Sequence, residues 1–238
     1  MPAENRPAVV VSCEHGGHRV PAPYRSLFEG AEDVLSSHRG FDAGALEMAT
    51  CLSKALEAPL LASTVTRLLV DLNRSESHPR VFSEWTRRLS REERERLIET
   101  WHRPHREAVR AAVAARMRTH RPVVHVASHS FVPVLDGAVR ELDVGLLYDP
   151  ARSLERTLAA DWRRALRDRE PTLRVRFNRP YRGTSDGLTR WLRPSFPDPR
   201  YAGIELEVNQ ALLEQPRDDF PGLRSLLAEA LAQSLRRL

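Results

Sequence analysis

Cysteine is nearly missing from this chain: there are two in 238 residues, Cys13 in an apolar run and Cys51 in a helical pattern. Two thiols so placed make no disulfide framework and fit a reducing compartment. Lysine is scarcer still, Lys54 being the single one among 37 basic residues. There is no run of about 18 apolar residues and no leading segment of the charged, apolar, small-residue kind. Membrane insertion and export are therefore not expected, and the cytoplasm is the expected compartment. Linker-like stretches and internal repeats are missing too, so residues 1–238 read as one domain, and a 41% hydrophobic content allows a sizeable core.

What the chain has in abundance is arginine. The formal net charge is +5 and the pI about 9.8, which raises the question of a nucleic-acid partner. The pattern speaks against one. Acidic and basic residues interleave, as in Arg91-Glu92-Glu93-Arg94-Glu95-Arg96, the mark of a solvated helix laced with ion pairs. A basic surface facing a small acidic molecule explains the surplus equally well, and neither nucleic acid nor a membrane is an expected partner.

Short β-branched runs alternate with helical patterns. Strands are expected at 8–13, 59–64, 67–72, 122–127, 141–147, 172–177 and 202–208, and helices at 42–56, 84–119, 153–168 and 221–237. Trp101-His102-Arg103-Pro104 should interrupt the longest helix, because proline disfavours helical geometry in the residue before it. Alternation of this kind argues for an α/β fold, a three-layer sandwich with a mixed, largely parallel sheet and helices on both faces. Ligands bind such folds at the carboxyl ends of the strands.

Those ends carry the chemistry. Arg67-Leu68-Leu69-Val70-Asp71 leads into Leu72-Asn73-Arg74, where Asn supplies two N–H donors and an acceptor, and Arg a planar fork matched to oxyanions. Val9-Val10-Val11-Ser12-Cys13 runs into Glu14-His15-Gly16-Gly17-His18; the glycines admit close approach, and imidazole is a common zinc ligand. A second apolar run, Pro122 to Ala127, releases Ser128-His129-Ser130. Two strands ending in histidine look like one site assembled across a sheet. Glu205 and Glu207, two apart on a late strand, share a face, and buried carboxylates are costly unless they bind metal, pair with a cation or move protons.

Plainer readings stand beside these. A strand-end histidine is often only a hydrogen-bonded structural residue, and Ser128-His129-Ser130 reads equally as a turn. No serine sits in a Gly-x-Ser-x-Gly elbow, which argues against a serine hydrolase. Cys13, inside a strand, reads as buried and inert. His102 and His105, which bracket Pro104, read as structural.

In their order and spacing these pieces resemble the N-formylglutamate amidohydrolase family. The pattern stands here as His15-Gly16-Gly17, Thr66-Arg67 through Asp71-Leu72-Asn73-Arg74, His129-Ser130, Asn178 with Tyr181-Arg182-Gly183, Thr189-Arg190, and Glu207. It spans roughly residues 8 to 210, and the pieces are specific together, not singly.

The resemblance implies a zinc-dependent hydrolase of the carboxypeptidase-like and aspartoacylase-like kind, cleaving the amide of a small acidic N-acyl amino acid such as N-formyl-L-glutamate. Relatives hold Zn2+ with a His-x-x-Glu pair and a later histidine. This chain departs from that pattern, since position 18 is histidine, so either His18 or Asp42 in Gly40-Phe41-Asp42-Ala43-Gly44 supplies the third ligand. The expected set is His15, Asp42 and His129, with a helix N-cap as the plainer role for Asp42. Glu207 is expected to act as general base and then acid, with Glu205 as rival or supporting partner. Arg67 or Arg74 would stabilise the oxyanion, Arg140 and Arg190 would take substrate carboxylates, and Asn73 and Asn178 would orient the substrate. The alternative is a non-catalytic or repurposed family member that binds an acidic small molecule without hydrolysing it.

Overall fold

The computed structural model describes residues 7–213 and 222–238. In chain order the strands are β1 (Ala8–Cys13), β2 (Leu60–Ala62), β3 (Val123–Phe131), the short pair β4 (Val134–Leu135) and β5 (Ala138–Val139), β6 (Val144–Leu147), β7 (Val175–Phe177) and β8 (Tyr201–Asn209). β4 and β5 form a separate hairpin, and the other six make one sheet in the order β2-β1-β3-β8-β6-β7. β2, β1, β3 and β8 are parallel; β6 runs antiparallel to β8 and parallel to β7. The sheet is thus mixed and mostly parallel, as expected.

The helices are α1 (Glu32–Leu35), α2 (Ala45–Ala55), α3 (Arg91–Leu97), α4 (Arg103–Met117), α5 (Ser153–Arg169), α6 (Leu188–Leu192) and α7 (Leu223–Leu235). Alternation along the strands assigns them to two faces. Val9, Val11 and Cys13 of β1 pack with Met48 and Leu52 of α2, Trp162 of α5 and Leu231 of α7. Ala8 and Val10 pack the other way, with Val109 and Val113 of α4 and Leu188 and Leu192 of α6. Each such buried aliphatic side chain contributes about 1.5–3 kcal/mol relative to exposure. β8 gives Ala202, Ile204, Leu206 and Val208 to the first core, which leaves Glu205 and Glu207 on the opposite face. No helix among the described residues is long and apolar enough to cross a membrane.

Two expectations need correction. Residues 67–72 are not a strand but a succession of turns, in which Leu69 N donates to Thr66 O and Asp71 N to Val81 O. Leu68, Leu69, Val70 and Leu72 are all buried, in a third core with Phe28, Val81, Leu97 and Ile98. A run covered on every side has no period, so its pattern fits a buried strand and a buried turn alike. The helix expected over 84–119 starts only at Arg91, where Ser90 and Glu93 form a reciprocal capping box. It is interrupted near the expected place: Ile98–His102 is π-helical, and Pro104 falls in the first turn of α4, where its missing N–H leaves no bond unmade.

Candidate active site

β1, β3 and β8 are adjacent and parallel, so their carboxyl ends open on one rim. β1 delivers Glu14 and His15 just past its last residue, and β3 delivers His129, paired in register with Glu207 of β8. Asp42 arrives from the loop before α2. Its N–H donates to His15 O at 2.9 Å, and two residues on Gly44 takes a left-handed φ of 76° as the N-cap, a conformation glycine adopts without strain. The chain turns into the helix there, and the Asp42 carboxylate faces the two imidazoles instead of capping α2.

His15, Asp42 and His129, all buried, bring ligand-type atoms within 4.8 Å of one another. Asp42 Oδ2 is 2.9 Å from His129 Nδ1 and 3.3 Å from His15 Nδ1. The far side of each ring meets a second buried carboxylate, with His15 Nε2 at 2.8 Å from Asp71 Oδ1 and His129 Nε2 at 3.1 Å from Glu14 Oε2. Each imidazole therefore lies between two carboxylates. With the proton on Nε2, Nδ1 is a bare lone pair opposite an anionic oxygen; the arrangement calls for either a second proton on the ring or a cation. Burial alone would lower the His129 pKa, but hydrogen bonds with Asp42 and Glu14 outweigh it and hold it well above the usual value. Two imidazoles and a carboxylate, with outer carboxylates to fix the tautomers, form a donor set suited to zinc. The residues fit a metal.

Around this cluster the carboxylates are braced. Arg67 donates from Nη1 to Asp42 Oδ1 at 3.1 Å and from Nη2 to Asp71 Oδ2 at 3.0 Å. Burial would raise the Glu14 pKa, yet hydrogen bonds with His105 of α4, at 3.3 Å, and with His129 hold it well below the carboxylate range. Sequence reading missed these parts for Glu14, Asp71 and His105. The available signal was Glu14 itself, a carboxylate at the end of a wholly apolar strand. Burial pushes the Cys13 thiol up, in keeping with an inert residue.

A cavity of about 330 Å³ covers the cluster and is lined by Asn73, Arg74, Glu205 and Glu207 as well as by His15, Asp42, Arg67 and His129. Glu207 Oε2 is buried without a hydrogen-bond partner, and burial above all raises its pKa to about 8. Burial also raises Glu205, but Glu205 Oε1 accepts a 2.6 Å bond from Thr189 Oγ1. Asn73 Oδ1 accepts from Leu188 N at 2.7 Å, and its amide nitrogen lies 3.5 Å from His129 Nε2 on the wall of the cavity. Arg74 Nη1 donates to Asp186 O at 3.1 Å.

Other expected residues stand apart. His18 is exposed, its ring 4.8 Å from that of Phe41. Arg140 lies over Tyr181 at 5.2 Å and donates to its hydroxyl at 3.2 Å. Arg190 donates to Thr184 O at 3.1 Å. Asn178 Oδ1 accepts from Tyr148 N at 3.1 Å and Gly183 N at 2.9 Å, clipping its own loop together. Arg140, Arg190 and Asn178 do not line the cavity, whereas Arg80 and Arg182, to which the sequence reading gave no role, do.

Fold and site together define a class: an α/β protein built to receive a small molecule at the carboxyl edge of its sheet, over a candidate metal centre. The chain belongs to the N-formylglutamate amidohydrolase family, whose model matches residues 7–214. That membership makes it an amidohydrolase-type protein with a small-molecule substrate. It is similar to the crystal structure of a gene product from Agrobacterium tumefaciens, with 29% identity and a TM-score of 0.82 over 96% of this chain and 90% of that one. An N-formylglutamate amidohydrolase from Ralstonia eutropha shares its fold at 20% identity, with a TM-score of 0.71 over 100% of this chain and 96% of that one. No curated protein matches the sequence significantly.

Proposed function

We propose that this chain is a zinc-dependent amidohydrolase cleaving the amide of a small acidic N-acyl amino acid such as N-formyl-L-glutamate. The observation that carries the reading is the convergence of His15, Asp42 and His129 within 4.8 Å, beside a Glu207 carboxyl that has a buried oxygen without a partner. In this reading His15, Asp42 and His129 hold the metal, and Asp71 and Glu14 orient the imidazoles. Zinc, when bound, brings the pKa of a water to about 7 and polarises the acyl oxygen. Glu207 takes a proton from the attacking water and returns it to the leaving amine, and its raised pKa suits both transfers near neutrality. Arg74 donates to the developing oxyanion. Arg67, with both terminal nitrogens committed to Asp42 and Asp71, acts one step back by holding those carboxylates. Asn73 orients the substrate through its amide nitrogen. A cavity of about 330 Å³ lies at the small end of ligand pockets, which suits an amino-acid-sized molecule.

Metal analysis together with an amine-release screen of N-formyl, N-acetyl and N-succinyl amino acids tests the proposal. Near-stoichiometric zinc and release from an acidic member are expected. Protein that takes up no zinc when offered it and releases no amine would overturn the reading in favour of a ligand-binding role. His15→Ala and His129→Ala should each lose the metal while keeping the fold.

A further inference from the structure

The active-site cavity has a neighbour across its arginine-lined side. His38, Arg67, Arg74 and Arg80 line it and at the same time line a second cavity of about 590 Å³. That adjoining space is strongly one-signed: it is bordered by Arg39, Arg67, Arg74, Arg80 and Arg87 against only Asp71 and Glu84. Both carboxylates are already matched, Asp71 with Arg67 and Glu84 with Arg39. Arg74 bonds a carbonyl oxygen and not an acid, and Arg80 and Arg87 are exposed with no carboxylate partner among the described residues. Arg74, Arg80 and Arg87 thus border the two cavities without an ion pair to any carboxylate among the described residues.

We propose that the acidic N-acyl amino acid this site takes is the first residue of an acidic peptide of two or three residues, whose further carboxylates lie along Arg80 and Arg87. This rests on the amidohydrolase reading of the site. Guanidinium forks are matched to carboxylates in geometry as well as charge. The contacts are exposed and screened, so each is modest and together they act on KM more than on kcat. Hydrolysis adds one water, releases the acyl group as a carboxylic acid and frees the peptide's amine.

The test compares N-formyl-Glu with N-formyl-Glu-Glu-Glu as substrates of the zinc-loaded full chain. The tripeptide should have a kcat/KM larger by about tenfold, through KM, and the advantage should shrink in about 0.5 M salt. In Arg87→Gln, a change at an exposed side chain, the ratio of the two constants should fall toward one. A ratio of one or less in the unaltered protein, or a ratio unmoved by Arg87→Gln, overturns the proposal. Calorimetric binding of Glu-Glu-Glu against Glu reads the same preference without turnover. If the peptide binds more tightly and depends on Arg87 while neither substrate is cleaved, the hydrolytic reading fails and the recognition stands. If tripolyphosphate competes as well as the peptide does, the surface attracts anions without selecting peptides, and the inference is lost.

Discussion

Two buried carboxyls on one strand face, Glu205 and Glu207, differ in what they touch, and that difference underlies the roles proposed for them. Glu205 is tied to Thr189, whereas Glu207 keeps an oxygen without a partner. Glu207→Gln keeps the shape and removes the base, so it should still bind zinc and lose kcat by roughly 100-fold to 10,000-fold; Glu205→Gln should cost far less. Kinetics giving the opposite order would remove Glu207 from the mechanism. Behind the imidazoles, Asp71→Asn should weaken zinc binding by about 10-fold to 100-fold in a chelator competition, because it loosens the grip on His15 Nε2; unchanged affinity would show that Asp71 does not tune the ligand. At this scale the sequence is readable where a residue's role is local. His15 and His129 announce themselves at the ends of apolar runs, and Asp42 sits in a glycine-flanked loop. Glu14 and His105 depend on each other across 91 positions, Glu14 also on His129, and Asp71 on His15 across 56 positions, and no local pattern records these pairings.

Among the elements, one buried ion pair fastens helix to sheet beneath the cavity. Glu155, in the first turn of α5, accepts two 3.0 Å bonds from the Arg193 guanidinium, one from Asp149 N at 2.7 Å and one from Gly203 N of β8 at 3.1 Å. Arg193 also reaches Gly183 O at 2.6 Å. Arg152 Nε also lies 3.2 Å from Glu155 Oε1, so Glu155→Ala strands the buried Arg193 guanidinium and a second arginine donor, and should cost about 3–5 kcal/mol of stability in urea unfolding. A loss below about 1 kcal/mol for the single change would mean that water reaches Arg193. β8 and α5 were legible because their apolar residues keep a period of two or of 3.6, and β1 and β3 because their short runs are rich in valine. The turns at 67–72 were not, because a segment buried on all sides has no polar face to betray its geometry. The late start of α3 was written in Ser90 and Glu93, whose reciprocal cap outranks the helical propensity of residues 84–89.

For the whole molecule, buried groups pull the pH dependence of stability in opposite directions: Glu205 and Glu207, raised by burial, favour the folded state as pH falls, and a buried histidine opposes them. His125 lies fully buried between Ser12 Oγ at 2.8 Å and the Tyr201 hydroxyl at 3.1 Å, and burial lowers its pKa to about 4 from about 6.5 in an unfolded chain. Between those values His125 is protonated in the unfolded chain and neutral in the folded one, so its contribution to stability is lost as pH falls through that window, by at most about 1.4 kcal/mol per pH unit. The urea midpoint of His125→Asn, taken relative to that of the unaltered protein, should rise as pH falls through the window; a constant difference would show that His125 carries no acid sensitivity. The order of the sheet has a consequence of another kind, in the timing of synthesis. β8 lies between β3 and β6, so the strand that joins the two halves of the sheet is the last one made. A nascent chain short of residue 201 holds β2-β1-β3 and β6-β7 as separate pieces with open edges, which invite pairing with other chains until the final strand seats. The candidate metal ligands have all been made by residue 129, whereas Glu207, the proposed proton-transfer group, arrives only with that strand. In the proposed mechanism the residues that would hold a cation are therefore made before the group that would use it, and closing the sheet is the same event as completing the proposed site.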